Sequence, residues 1–168
     1  MKNIEEWLEA YGESHQNPIN KSIHWVCVPV ILITLIGVLW SVKIPLPIDG
    51  QVLNNPLVEL LNLGVALMVC ALIYYAFLSL SLMIGMLIVS IASILAVIGL
   101  DRIGQWVEMS VFQLSLALFV FAWIGQFIGH KIEGKKPSFF EDLQFLLIGP
   151  LWLLSFIYRR LGIKYSSK

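Results

Sequence analysis

The feature that most constrains this chain is a run of 41 residues, from Leu60 to Leu100, without a charged side chain. At about 1.5 Å per residue, a helix of that length extends roughly 60 Å, which is two crossings of a hydrocarbon core about 30 Å thick. Only 13% of the residues are charged and 58% are hydrophobic, whereas soluble domains carry about 25% charged residues. The sequence therefore predicts an all-α integral membrane protein that forms a single domain over residues 1–168.

Uncharged segments predict four transmembrane helices. They lie at about residues 25–42, 60–80, 82–100 and 109–129, with a turn between the second and third around residues 79–85. A further apolar stretch at 143–158 is interrupted by Gly149-Pro150. A fifth crossing would put one of its two flanking basic clusters on the wrong side of the membrane. We therefore expect this stretch to form a broken, re-entrant or interfacial helix pair.

The N-terminal segment predicts a short amphipathic helix. Ile4, Trp7, Leu8 and Tyr11 recur at the i, i+3, i+4, i+7 spacing of one helix face. Such a helix suits the membrane interface, and packing of its apolar face on protein is the equally favoured alternative. Asn17-Pro18 then predicts the start of the next helix, because Asn caps well and Pro is tolerated at the first helical position.

The predicted topology brings all three histidines to one membrane face. His15 and His24 precede the first predicted span and His130 follows the fourth. Four crossings return the chain to its starting side. The lysine and arginine clusters near the same chain ends place that face toward the cytoplasm.

Polar residues near the histidines indicate a metal site. Asn20, Gln126 and Glu133 lie close to them in sequence, and amides are costly to bury without partners. Imidazole is a suitable ligand for Fe, Zn, Cu and Ni. Three histidines, or two histidines and Glu133, would hold one ion with open positions, as non-haem Fe(II) oxygenases require. The H-E-x-x-H pattern of zinc proteases is absent from the sequence.

Two segments of the chain resemble the signatures of the 2-hydroxy fatty acid dioxygenase family, small membrane proteins of the type that metabolises phytosphingosine to odd-numbered fatty acids. They read YGESHQNPINKSIHWVCVPVI at residues 11–31 and WIGQFIGHKIEGKKPSF at residues 123–139. The matching positions are His15, Asn17, Pro18, Asn20 and His24 in the first segment, and Gln126, Gly129, His130, Glu133 and Pro137 in the second. The resemblance also covers the order and length of the spans.

The resemblance implies an Fe(II)-dependent α-oxidation, in which a 2-hydroxy fatty acid and O2 give a fatty acid one carbon shorter. The three histidines would be the ligands, and they would leave room for O2 and for the hydroxyl and carboxylate oxygens of the substrate. Asn20 and Gln126 would hold an imidazole N–H in the required tautomer. Some members carry another histidine in the link that here reads GLDRIGQWVE, which makes Asp101 or Glu133 the candidate for a further ligand.

The expected partners are an amphiphilic substrate and the surrounding membrane lipids. Lys131, Lys135 and Arg102 could attract the substrate carboxylate, although basic residues also follow from membrane topology alone. The net charge of zero argues against a nucleic-acid partner. The membrane could be a bacterial inner membrane or the endoplasmic reticulum.

Two other classes of function fit parts of the sequence. One is a non-catalytic membrane scaffold or small transporter, although a transporter would place ionisable groups near the bilayer midplane. Here the ionisable groups lie at the edges of the predicted spans. The other class is a metal-dependent lipid hydrolase, in which zinc would activate a water molecule.

Overall fold

The structure is a computed structural model that describes residues 3–45, 56–134 and 139–165. The described chain confirms the all-α prediction, with one short 3₁₀ helix at Pro56–Leu60. The α-helices of the described residues are α1 (Ile4–Glu13), α2 (Pro18–Trp40), α3 (Leu63–Leu78), α4 (Leu80–Trp106), α5 (Val111–Glu133) and α6 (Phe139–Leu161).

Three helices, α2, α4 and α5, are long and apolar enough to cross a membrane. The helix α3 is also apolar but has only 16 residues, where the sequence predicted a span at 60–80. Ser79 separates α3 from α4 as expected. Its extended backbone ends α3, and its hydroxyl accepts a hydrogen bond from the Leu82 N–H at the start of α4.

The predicted break at Gly149-Pro150 is wrong, because α6 is one continuous helix of 23 residues. Pro150 has no N–H to donate to the carbonyl of Leu146. A neighbouring helix supports this turn, since the Tyr75 hydroxyl of α3 donates to the Leu147 carbonyl at 2.8 Å. The helix α6 is not among the candidate spans found in the described part of the chain. That α6 does not cross the bilayer stays a prediction.

The N-terminal helix lies against protein. Asn3 and Glu6 form a reciprocal capping box at its start. Its predicted apolar face is buried, with Ile4 and Leu8 in one hydrophobic cluster with residues of α6. The face that would have entered the lipid interface is therefore covered, and α1 becomes the support for the residues that follow it.

The pair formed by α2 and α5 is closely packed through small residues. A Cβ atom added to Gly129 would collide with the Asn20 side-chain oxygen, and one added to Gly125 would lie 2.6 Å from the Cys27 sulfur. Gly125 and Gly129 form a G-x-x-x-G pattern, which lets two helix backbones approach closely in a membrane. This approach sets the distance between the histidines of the two helices.

We predict that Gly129→Ala destabilises the protein by about 1–3 kcal/mol, because the added methyl group must push α2 away from α5. The matched control is Gly99→Ala on α4, where an added Cβ meets nothing within 4 Å. Thermal unfolding of both variants in detergent checks the prediction, and equal unfolding temperatures would contradict it.

Candidate metal centre

The three histidines converge. One ring nitrogen from each of His15, His24 and His130 can be chosen so that all three lie within 4.8 Å of one another, a spacing that could hold a metal ion. His15 comes from the loop between α1 and α2, His24 from the second turn of α2, and His130 from the last turn of α5. His15 and His24 are buried and His130 is partly buried. The predicted meeting of chain ends that are distant in sequence is thus present.

Backbone carbonyls fix the tautomer of two imidazoles. The Nδ1 of His24 lies 2.9 Å from the Asn20 carbonyl, and the Nδ1 of His15 makes the same contact with the Tyr11 carbonyl. Since a carbonyl oxygen only accepts, each Nδ1 carries the proton and each Nε2 keeps its lone pair. The Nε2 of His15 is buried without a hydrogen-bond partner among the described residues, and the equally buried Nε2 of His24 has the Gln126 side chain beside it. Such atoms are costly to bury unless they bind something, so the donor set fits a metal ion.

This contact differs from the role predicted for the Asn20 side chain. The backbone oxygen of Asn20, four residues before His24, orients the ring instead. The same spacing joins Tyr11 to His15, whose rings are also stacked with centroids 4.2 Å apart. Tyr11 was missed as a site residue, although its i, i+4 spacing from His15 was a signal in the sequence.

Burial keeps His15 neutral. It lowers the pKa of His15 from 6.5 to about 4, and the hydrogen bond to the Tyr11 carbonyl opposes this shift only in part. The imidazole is therefore deprotonated at neutral pH, which is the form that binds metal ions.

Glu133 holds the histidine-bearing segments together. Its carboxylate accepts hydrogen bonds from the backbone N–H groups of Gln16 (2.8 Å) and Asn17 (2.9 Å) and from the Asn20 side-chain amide (2.9 Å). The N-terminus of a helix favours a negative charge of this kind. Glu133 thereby fastens the end of α5 to the loop and first turn that carry the other two histidines. Its oxygens are engaged in these contacts, so the geometry favours the set of three histidines over two histidines and Glu133.

The two candidate amides occupy different positions. Asn20 is fully buried between α2 and α5, and its amide group donates to the Ser14 carbonyl and to Glu133. Gln126 is 6% exposed and lies on the wall of a cavity. Because it precedes His130 by one helical turn, its amide is placed close to the histidine cluster.

The candidate cations are not gathered at the site. Lys131 is exposed beside His130, and Lys135 lies outside the described residues. Arg102 and Asp101 belong to the last turns of α4, next to its link with α5. That link is at the opposite end of α5 from His130, about 28 Å away by helix rise. The structure therefore separates Arg102 and Asp101 from the histidines.

An apolar cavity of about 560 Å³ opens beside the histidines. His15, His130 and Gln126 line it, together with apolar residues of α2, α3, α4 and α6. A second, more polar cleft of about 630 Å³ also reaches His15, and its lining includes Lys21 and Arg159. His15 thus stands between an apolar chamber and a polar one. The sequence analysis did not predict that α6 lines the apolar cavity, because nothing in the local sequence shows which helices pack together.

Comparisons with known proteins give a family match and one relative. The sequence model of the Mpo1-like family, described as 2-hydroxy-palmitic acid dioxygenase Mpo1-like, matches residues 1–161. A relative from Saccharomyces cerevisiae, 2-hydroxy-palmitic acid dioxygenase MPO1, is 29% identical over 166 residues. The alignment covers 96% of this chain and 83% of the relative. No solved structure matches the chain.

We predict that His15→Ala, His24→Ala and His130→Ala each abolish metal binding while the protein stays folded in detergent. Each variant removes one of three ligands, so the remaining pair holds the ion weakly. Lys131→Ala, next to His130, is the control and should keep its metal. Elemental analysis of the purified variants measures this, and full metal occupancy in all three histidine variants would rule out the site.

We also predict that Glu133→Gln lowers metal affinity by about 10–100-fold, the usual loss when groups that orient ligands are changed. A neutral amide accepts the three N–H groups less well than a carboxylate does. Glu59→Gln changes an exposed carboxylate and serves as the control. Equal metal affinities in metal titrations of the two variants would show that Glu133 does not organise the site.

Proposed function

The chain belongs to the Mpo1-like family of 2-hydroxy-palmitic acid dioxygenases, and from this premise we propose that it shortens 2-hydroxy fatty acids by one carbon. The co-substrate is O2 and the cofactor is Fe(II), held by His15, His24 and His130. The atoms balance if the carboxyl carbon leaves as CO2 and one water forms. The observation that carries the proposal is the meeting of three imidazoles at the edge of an apolar cavity.

The donor set supports an oxygenase. Three neutral nitrogen ligands leave coordination positions open, which is the property that non-haem Fe(II) oxygenases need. Fe(II), when bound, supplies the redox chemistry that activates O2. Zinc at the same histidines would instead make a hydrolase, so the identity of the metal and the need for O2 separate these two functions.

The cavity and the cleft suit an amphiphilic substrate. The acyl chain would enter the apolar cavity, whose walls exclude water from the reacting carbons. Gln126, on the cavity wall near His130, would donate an amide hydrogen bond to the hydroxyl or carboxylate of the substrate. The polar cleft on the other side of His15 would exchange small polar molecules with water. A scaffold would need neither a cavity of this size nor buried unpaired imidazole nitrogens.

The chain is an integral membrane protein by its three long apolar helices. We propose that the histidine site lies at the cytoplasmic face, because lysines and arginines cluster near the chain ends that reach it. Of the three basic residues predicted to attract the fatty acid carboxylate, Lys131 is the one that the structure places next to a histidine of this site. Membrane lipids would surround the exposed apolar side chains of α3, α4 and α5.

We predict that the purified protein, loaded with Fe(II) and supplied with O2, converts 2-hydroxypalmitate to the fatty acid one carbon shorter. Palmitate itself should not react, because it lacks the hydroxyl on the carbon that becomes the carboxyl carbon of the product. Mass spectrometry of the extracted acids measures the product, and omission of O2 or use of His24→Ala should abolish it. Bound iron without any shortened acid would reject the proposal.

A further inference from the structure

The histidines and the far end of the apolar cavity are a defined distance apart. The lining of the cavity on α2 runs from Val28 to Ile36, and Ile36 lies 12 residues beyond His24. At about 1.5 Å per residue, these two positions are roughly 18 Å apart along the helix. The histidines stand at one end, so a molecule whose head group is held there must direct its tail toward Ile36.

Ile36 and Met68 lie at the deep end of the cavity. Both line it, and both are buried in a hydrophobic cluster with Trp40 and Val97. Ser93 also lines the cavity and precedes Val97 by one turn on the same face of α4. A well-packed cluster of this kind does not accept additional methylene groups without strain. The floor of the cavity is therefore a fixed wall.

We propose that Ile36, Met68 and Ser93 form a length gauge, which sets the longest acyl chain that the site accepts. The inference rests on the proposed function for the chemistry of the head group, a 2-hydroxy acid held beside the histidines. It adds the residues that determine specificity for the tail. The gauge works because the histidines hold the head group of the ligand, while the residues at the deep end of the cavity limit how far its tail can extend.

The dimensions give the length that the gauge selects. An extended hydrocarbon advances by roughly 1.25 Å per carbon, given C–C bonds of about 1.5 Å. The distance of roughly 18 Å from His24 to Ile36 then takes about 14 carbons beyond the hydroxylated one, so chains of about 16 carbons reach from the histidines to the end of the cavity. Each further methylene that leaves water strengthens binding roughly fourfold until the tail meets the floor. Beyond that length, affinity falls.

Binding of a series of saturated 2-hydroxy acids, which differ in steps of two carbons, tests the gauge. The full-length protein is kept anaerobic to prevent turnover, and each acid competes with a fluorescent fatty acid. In Ser93→Leu, added bulk above the floor should make the tightest-binding chain about two carbons shorter. In Met68→Ala, the lowered floor should make it about two carbons longer.

Two matched variants change side chains that face away from the cavity. Ala92→Leu and Val69→Ala alter exposed neighbours on the same helices and should keep the wild-type length profile. Opposite shifts in Ser93→Leu and Met68→Ala support the gauge. Unchanged profiles, or affinities that fall equally at all lengths in both variants, overturn it.

The same series separates the gauge from the proposed reaction. If the binding profiles shift but the iron-loaded protein forms no shortened acid, the gauge stands and the proposed reaction fails. If the shortened acid forms and the length profiles of both variants match the wild type, the reaction stands and the gauge fails.

Discussion

The close contact between α2 and α5 is the interaction on which the rest of the structure depends. Gly125 and Gly129 let the two backbones approach, and the Asn20 side chain fits against Gly129. In a membrane, helix association draws little from the hydrophobic effect and depends on close packing and hydrogen bonds between helices. Glu133 supplies those hydrogen bonds at the end of this pair. Without the contact, His24 and His130 would not reach a common ion.

The site is organised before any ion arrives. The carbonyls of Tyr11 and Asn20, each four residues before a histidine, accept from the Nδ1 atoms of His15 and His24 and leave the lone pair on each buried Nε2. Burial leaves these nitrogens with few partners, which is unfavourable for folding and would be relieved by an ion bound between them. The same burial places the histidine cluster beside an apolar cavity, where the tail of the proposed substrate would lie while its polar head reaches the proposed metal. Structure and proposed chemistry therefore follow from one arrangement of helices.

Much of this arrangement could be predicted from the sequence, because bilayer thickness restricts the length of helices. The uncharged run of 41 residues predicted the pair α3 and α4, and the prediction of four crossings put His130 on the side of His15 and His24, where the structure also brings the three histidines together. The family resemblance is confirmed by the match over residues 1–161. The prediction for Pro150 failed because the Tyr75 hydroxyl and packing against neighbouring helices maintain a helix that local rules would break. The cavity depends on contacts between distant helices that spacing alone does not show. The separation of Arg102 from the histidines, in contrast, already follows from the order of the predicted spans, because the link after the third span lies at the opposite end of the fourth from His130.

X-ray absorption at the iron edge of the anaerobically purified wild-type protein tests the central claim most directly. The account predicts one iron per chain, with scattering from three imidazole rings and the remaining ligands light atoms of water or substrate. Iron bound with fewer imidazoles, or a preparation that binds no iron at the histidines, would contradict it.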